Sequence, residues 1–488
     1  MHGNDQKVRQ EEPGALEGGS VSRREFLRIA GLAGATVGLG AGLGGLVAAC
    51  GGGATTTTAA PGTTTTAAPG TTTTAAPTTT TKAAGRDIKV GLVSPLTGPL
   101  AGFGMPMKFL EEKWAEAVAN GVECGDGLTH NIILKHVDTQ SDQNRAAQVA
   151  GDLINNDKVD AILVSSAPDT VVPVAATCES FGTPCIASFV PWQPFFFGLQ
   201  ADPAKPQPLK WAYAHALGLE QIVTAFIEIW NQVPTNKSCG LFFANDADGI
   251  AWTDETTGLP PAMRAAGYTV FNPGLYPVPT EDFTKLISDY KKNGCEICTG
   301  TVIAPDFTNF WKQAYQQGYQ PKVLTCGKAL LFPETVAAIG DIAVNATVEF
   351  TWGPHWPFVS SLTGETCQEL ADDYEKRTGN QWTAPIGTYD RMEWLVDALK
   401  RTANVDDKEA LIQAISTTKV DTMLGPIDLT APVQMGTFRP VQNVYMPPTG
   451  GGQWVKGTKH PYEIVQVVSG VWAPGTDVQA KVQPMQYA

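Results

Sequence analysis

The chain has 488 residues, a formal net charge of −14 and 43% hydrophobic residues. That length holds more than one hydrophobic core. The acidic balance, with no Lys/Arg-rich run after the first thirty residues, argues against a nucleic-acid partner.

In chain order, the first feature is an export address. Ser22-Arg23-Arg24-Glu25-Phe26-Leu27 is a twin-arginine signature, and a Gly/Ala/Leu run from Ile29 to Ala49 ends in Val47-Ala48-Ala49-Cys50. The run is too glycine-rich for a transmembrane helix. A charged start and a small-residue end match a secretory signal, residues 1–50, whose Cys50 carries the lipid of a bacterial lipoprotein. Residues 51–85 repeat TTTTAAP at Thr55–Pro61, Thr63–Pro69 and Thr71–Pro77. Such a tract buries too little apolar area to offset its ordering entropy and is expected to be a tether, with a reach on the order of 30–35 Å as a flexible coil. The protein is therefore expected on the outer face of the cell membrane. With Cys50 lipidated, eight of nine cysteines remain, and an even count in an oxidising compartment suggests disulfides. Cys178 and Cys185 close a short loop and form the favoured pair. The spacing Cys295-Glu296-Ile297-Cys298 lacks a second CxxC or a His pair, so neither a metal nor a cofactor is expected.

The folded body begins at Asp87. Short apolar strands near 88–93, 131–136, 161–164 and 184–187 alternate with helices near 144–155 and 172–181, and a helix ends near Ala119. The pattern restarts with a helix at 220–230, strands at 238–244, 269–271, 297–303 and 322–325, and helices at 259–266, 283–293 and 307–317. Helices near 367–378, 386–402 and 408–415 follow, then a strand-like, Gly/Pro-rich end over 441–472. Two such α/β series predict parallel sheets covered on both faces. The loops leaving Val93 and Val164 precede helices, whose free N–H groups suit an anionic group. Thr97, Gly98, Ser165 and Ser166 are the candidates there, although both serines could instead cap the next helix. Phe189 and Trp192, in Ser188-Phe189-Val190-Pro191-Trp192-Gln193-Pro194-Phe195-Phe196-Phe197, offer an aromatic wall or packing near a hinge.

The segment IKVGLVSPLTGPLAGFG, Ile88–Gly104, closely resembles the opening of the branched-chain-amino-acid-type solute-binding proteins of ABC importers. Asn245-Asp246-Ala247-Asp248-Gly249, Glu281-Asp282-Phe283, Ala314–Gly318, Gly387–Arg401 and Thr422–Gly425 strengthen the resemblance. It implies the type 1 periplasmic-binding-protein fold: α/β, two doubly wound lobes with a hinge and an interlobe cleft. One lobe is expected at 86–212 plus 353–440, the other at 213–352 plus 441–488. Ligand would sit at the carboxyl ends of the strands, with its carboxylate at the position matched by Ser166 and with Asp248 nearby. Where amino-acid binders of the family hold the ligand ammonium with a glutamate, this chain reads Thr325-Cys326-Gly327-Lys328. Lys328 suits an anionic group there, unless the register is displaced and it is solvated.

The resemblance implies a monomeric lipoprotein that captures a small polar or carboxylate-bearing ligand (amino-acid-like, amide or organic acid). It would deliver that ligand to the permease and ATPase subunits of an ABC importer. The alternative of the same fold is a ligand-sensing receptor subunit without transport. No hydrolase, zinc-protease, P-loop or dinucleotide motif occurs in the body, and the six histidines are scattered, so no enzyme activity is expected.

Overall fold

The computed structural model describes residues 83–256, 258–430, 441–469 and 475–487. The twin-arginine signature, Cys50 and the TTTTAAP tether therefore lie outside the described residues.

Two sheets organise the molecule. In the first, six parallel strands run in the order Val444–Tyr445, Ala212–His215, Cys185–Ser188, Ala161–Ser165, Ile88–Ser94 and Ile132–Asp138. Ala161–Ser165 and Cys185–Ser188 are buried at every position, because helices cover both faces of the sheet. One face packs Leu92, Leu163 and Ile186 against Trp114, Trp394 and Leu395. The other packs Val93, Ile162 and Val164 against Val149, Val171 and Val174.

The second sheet has seven strands in the order Tyr462–Val468, Gly450–Lys456, Thr347–Phe350, Val323–Lys328, Ile297–Val302, Ser238–Phe242 and Thr269–Phe271. The first two of these form an antiparallel hairpin, and the remaining five run parallel to one another. The expected α/β architecture of two doubly wound lobes is what the chain adopts.

The chain crosses between lobes after His215, after Phe350 and after Tyr445. Ala212–His215 and Val444–Tyr445 pair in the first sheet, so these crossovers fall a few residues beyond positions 212 and 441. After Phe350 the chain returns to the first lobe. There Tyr374 meets Phe109 edge to face, with ring centroids 5.2 Å apart. Asp390 Oδ2 accepts from His215 Nδ1 at 2.8 Å.

Local chemistry fixes the helices nearest the cleft. Pro168 opens the helix Pro168–Phe181, and Gly182 ends it in the left-handed region (φ 62°), donating its N–H to the Cys178 carbonyl. The segment Trp192–Gly198, which the sequence left as an aromatic stretch, is a helix begun from Pro191. In Ala247–Thr253, the Asp246 carboxylate accepts from the Gly249 N–H at 2.7 Å and caps the first turn.

The disulfide expectation needs correction. Cys124, Cys178, Cys185, Cys239, Cys295, Cys298, Cys326 and Cys367 are all buried free thiols. Cys178 and Cys185 do meet in the core between their helix and strand, and the Cys178 thiol together with burial pushes the Cys185 thiol well above its ordinary range. Among the described residues, no His/Cys/Asp/Glu group is arranged to hold a metal.

Candidate ligand-binding site

The carboxyl ends of both parallel sheets face one another across a small cavity of about 30 Å³. The first lobe contributes Phe103, Ala167, Pro168, Phe189 and Pro191. Leu217 and Ile222 come from the first crossover and the helix after it. The second lobe contributes Asp248, Trp252, Thr301, Lys328, Leu331, Glu349 and Thr351. Phe103 packs edge to face on Phe189 of its own lobe at 6.1 Å and on Phe332 of the opposite lobe at 5.1 Å. The lobes are thus closed on an aromatic contact. About 10–15 Å³ of such space holds one water, so the cavity has room for only a few waters and a larger solute must part the lobes to enter.

Lys328 ends the strand Val323–Lys328 beside Val302, with backbone dihedrals φ 57° and ψ −74°. This left-handed φ in a non-glycine residue is the kind of strain found at functional positions. Its side chain is buried and its ammonium forms an ion pair with Asp248 Oδ2, with Asp246 Oδ2 at 3.9 Å. The Lys328 N–H donates to Glu349 Oε1 at 3.4 Å. Gly327 permits this approach: a Cβ there would lie 2.9 Å from Thr301 Oγ1 and 3.0 Å from Glu349 Oε2.

One lysine therefore serves several acids. Asp169 of the first lobe and Asp246, Asp248 and Glu349 of the second all interact with the Lys328 charge. Burial raises the carboxyls, Asp246 to about 6 and Glu349 to about 7. Burial pulls the Lys328 ammonium down, but Asp248, Asp246 and Asp169 more than offset it, holding it above its ordinary value. Asp248 Oδ1, Glu349 Oε2, Thr301 Oγ1, Thr351 Oγ1 and Trp252 Nε1 are buried around the cavity without a hydrogen-bond partner in the protein. Leaving such a group unmade costs about 1–3 kcal/mol, so the cavity wall calls for water or a bound polar group.

The sequence-derived candidates divide. Asp248, Lys328 and Phe189 line the cavity. Ser165 and Ser166 are buried just before Ala167, the N-cap of the helix Pro168–Phe181. Neither caps it, and both hydroxyls lack protein partners. Thr97 lies outside the cavity: its hydroxyl donates to Asp138 Oδ2 at 2.6 Å, and its carbonyl accepts from Ser141. Gly98 belongs to the same turn, packed against Ser141. Trp192 is not at the cavity either. Its Nε1 donates to Glu220 Oε1 at 3.0 Å, while Gln193 Oε1 accepts from the Leu219 N–H at 3.0 Å, tying the first crossover to the first lobe. Glu220 is fully buried and its carboxyl is raised by that burial. Trp352 and Trp356 donate their indole N–H groups to Met423 O and Gln466 Oε1, and His355 bonds Gln466, so all three serve packing.

Glu349, Thr301, Thr351 and Phe103 were missed. The signal for Glu349 was present: it is an acid in the apolar run Thr347-Val348-Glu349-Phe350, a strand buried at every position. Burying a carboxylate there needs a partner or a purpose.

A family model described as periplasmic binding protein matches residues 87–450. The chain belongs to that family. The resemblance carried by the opening strand, loop and helix is borne out. The Leu/Ile/Val-binding protein homolog 7 of Brucella abortus (strain 2308) is 24% identical over 351 residues, covering 69% of this chain and 83% of the relative. Among solved structures, a leucine binding protein from Thermotoga maritima MSB8 superposes with a TM-score of 0.61 at 17% identity, covering 78% of this chain and 99% of that one. A solute binding protein of an ABC transporter from Rhodopseudomonas palustris BisB5, in complex with 3,4-dihydroxy benzoic acid, gives 0.62 at 19% identity, covering 80% and 99%. This periplasmic binding protein thus shares its fold with binders of unlike solutes. Among its described residues, no helix is long and apolar enough to cross a membrane.

Proposed function

We propose that this periplasmic binding protein is the lipid-anchored, extracytoplasmic solute receptor of an ABC importer, and that it captures a small solute by lobe closure. Its partners in that role are a membrane permease and an ATPase. The twin-arginine signal, Cys50 and the tether supply export and anchoring.

We infer further that the solute carries a cationic group, such as the ammonium of an amino-acid-like compound. One observation carries this reading: Asp248 Oδ1 and Glu349 Oε2 are buried acceptors without donors, and the one lysine among these acids is held in an ion pair by Asp248, although its Nζ completes no hydrogen bond. An ammonium supplies both the missing donors and the missing charge. The geometry favours Lys328 as the holder of Asp248 over a role gripping a ligand carboxylate. A carboxylate on the same ligand is served by Ser166 and the N-terminus of Pro168–Phe181.

A thermal-shift panel on the full chain tests this, using leucine, 2-phenylethylammonium, 3-phenylpropanoate and benzamide. A saturating ligand at one hundred times its Kd adds about 2.7 kcal/mol of stability. The ammonium-bearing compounds are expected to raise Tm. A rise with 3-phenylpropanoate alone would restore Lys328 as an anion site.

A further inference from the structure

A second, larger space adjoins the cavity. It holds about 620 Å³ and runs along the seam between the lobes. The helices Pro168–Phe181 and Trp192–Gly198 form one wall, and Ala247–Thr253 forms the other. Pro168 lines both spaces, so groove and cavity are neighbours across one residue.

The chemistry of the groove differs from that of the cavity. Val172, Pro173, Pro194, Phe197 and Ile250 give it apolar sides, and Ile250 is 59% exposed. Large exposed apolar side chains beside a binding cavity mark a surface that something covers. Asp169 sits at the boundary: it lines the groove, and its carboxyl interacts with Lys328 and Asp248 in the cavity. Burial raises that carboxyl, against the opposing pull of Lys328 and of its own backbone N–H.

The volumes decide how a solute fits. The closed cavity beside the acids, at about 30 Å³, is far smaller than the roughly 300–1,000 Å³ of small-molecule sites. The groove falls in that range.

We propose that the groove is the outer half of the ligand site, and that the solute is an amphiphilic organic cation. Its charged head reaches Asp169, Asp248 and Glu349, and its apolar body lies between Pro173, Pro194 and Ile250. This rests on the cationic-solute reading above and extends it to the size and shape of the ligand. The shared Pro168 wall, with Asp169 beside it, and the match of an acidic end to an apolar run select this occupant. A short polar zwitterion would leave the apolar walls wet, and a peptide or protein would not reach the enclosed acids.

The test titrates the full chain with 2-phenylethylammonium and with methylammonium, which share a head and differ in body. It repeats both with Ile250→Ser/Val172→Ser, which alters the groove walls, and with Glu349→Gln, which alters the acids. The expected result is at least tenfold tighter binding of 2-phenylethylammonium. That advantage should shrink toward unity in the groove variant while methylammonium affinity holds. Glu349→Gln should weaken both probes. If methylammonium binds in a Glu349-dependent way but the larger cation gains nothing, or its gain survives the groove variant, the groove proposal is overturned and the cationic-solute reading stands. Failure of both probes to bind would overturn both.

Discussion

The two walls of the cleft do different work. The first lobe presents mainly apolar groups to the cavity: Phe103, Ala167, Pro168, Phe189 and Pro191. The second lobe presents Asp248, Lys328, Glu349, Thr301 and Thr351. Charged groups are therefore concentrated in one lobe, and the other closes over them, carrying Asp169 to the edge. Apolar cover lowers the local dielectric and strengthens every interaction of the acids beneath it. An open lobe would leave the same carboxylates in water, where their pull on a cation is weak. The contrast explains how capture and closure can be coupled without any further device.

Removing the positive charge of the second lobe should have the largest effect. Lys328→Met leaves buried Asp248 without its counter-ion, and breaking such a pair costs about 3–5 kcal/mol of folding stability. Urea unfolding measures it. Stability unchanged within error would mean that the pair is solvated and that the lobes differ less than described. The first lobe's contribution comes next. Phe103→Ala deletes a ring that touches Phe332 across the cleft and should weaken ligand binding by about 1–3 kcal/mol, read by titration as faster release. An unchanged dissociation rate would remove the first lobe from closure. Glu349→Gln keeps the shape but loses the charge and should cost about 1.4 kcal/mol or more, roughly tenfold in affinity for an ammonium ligand. At the small end, Thr97→Val lies in the first lobe away from the cavity and should change affinity by less than about twofold, since its hydroxyl serves Asp138. A large loss would extend the site into the loop after the first strand.

Much of this was legible in the sequence, and the reasons for the rest are physical. Apolar parallel strands announced both sheets because burial on both faces leaves no alternation to misread. Asp248 and Lys328 were reachable through local motifs. Glu349 showed itself only as an acid in an apolar run; its place in the cavity depends on Gly327 of the neighbouring strand leaving room for its carboxyl. Trp192 reads in the sequence as an aromatic wall of the cleft or as packing near a hinge, because it lies in an aromatic stretch just after a buried strand. Its indole is instead committed to Glu220, a partner that only the crossover brings near. Thr97 was misplaced for a similar reason, since Asp138 arrives from the adjacent strand. Charge balance around a cleft arises from residues far apart in sequence, and spacing alone does not show it.

Selection of the solute by buried acids short of positive charge, as proposed above, fixes the proton count on binding 2-phenylethylammonium, measured by titration calorimetry in buffers of different ionisation enthalpy from pH 5 to 8. In the free protein Asp246 and Glu349 hold protons up to about 6 and about 7. A bound cation favours their ionised forms, so binding releases protons and affinity rises with pH through that window. Proton uptake, with affinity rising as pH falls, would contradict the account and show that the acids act as neutral donors to an anionic solute.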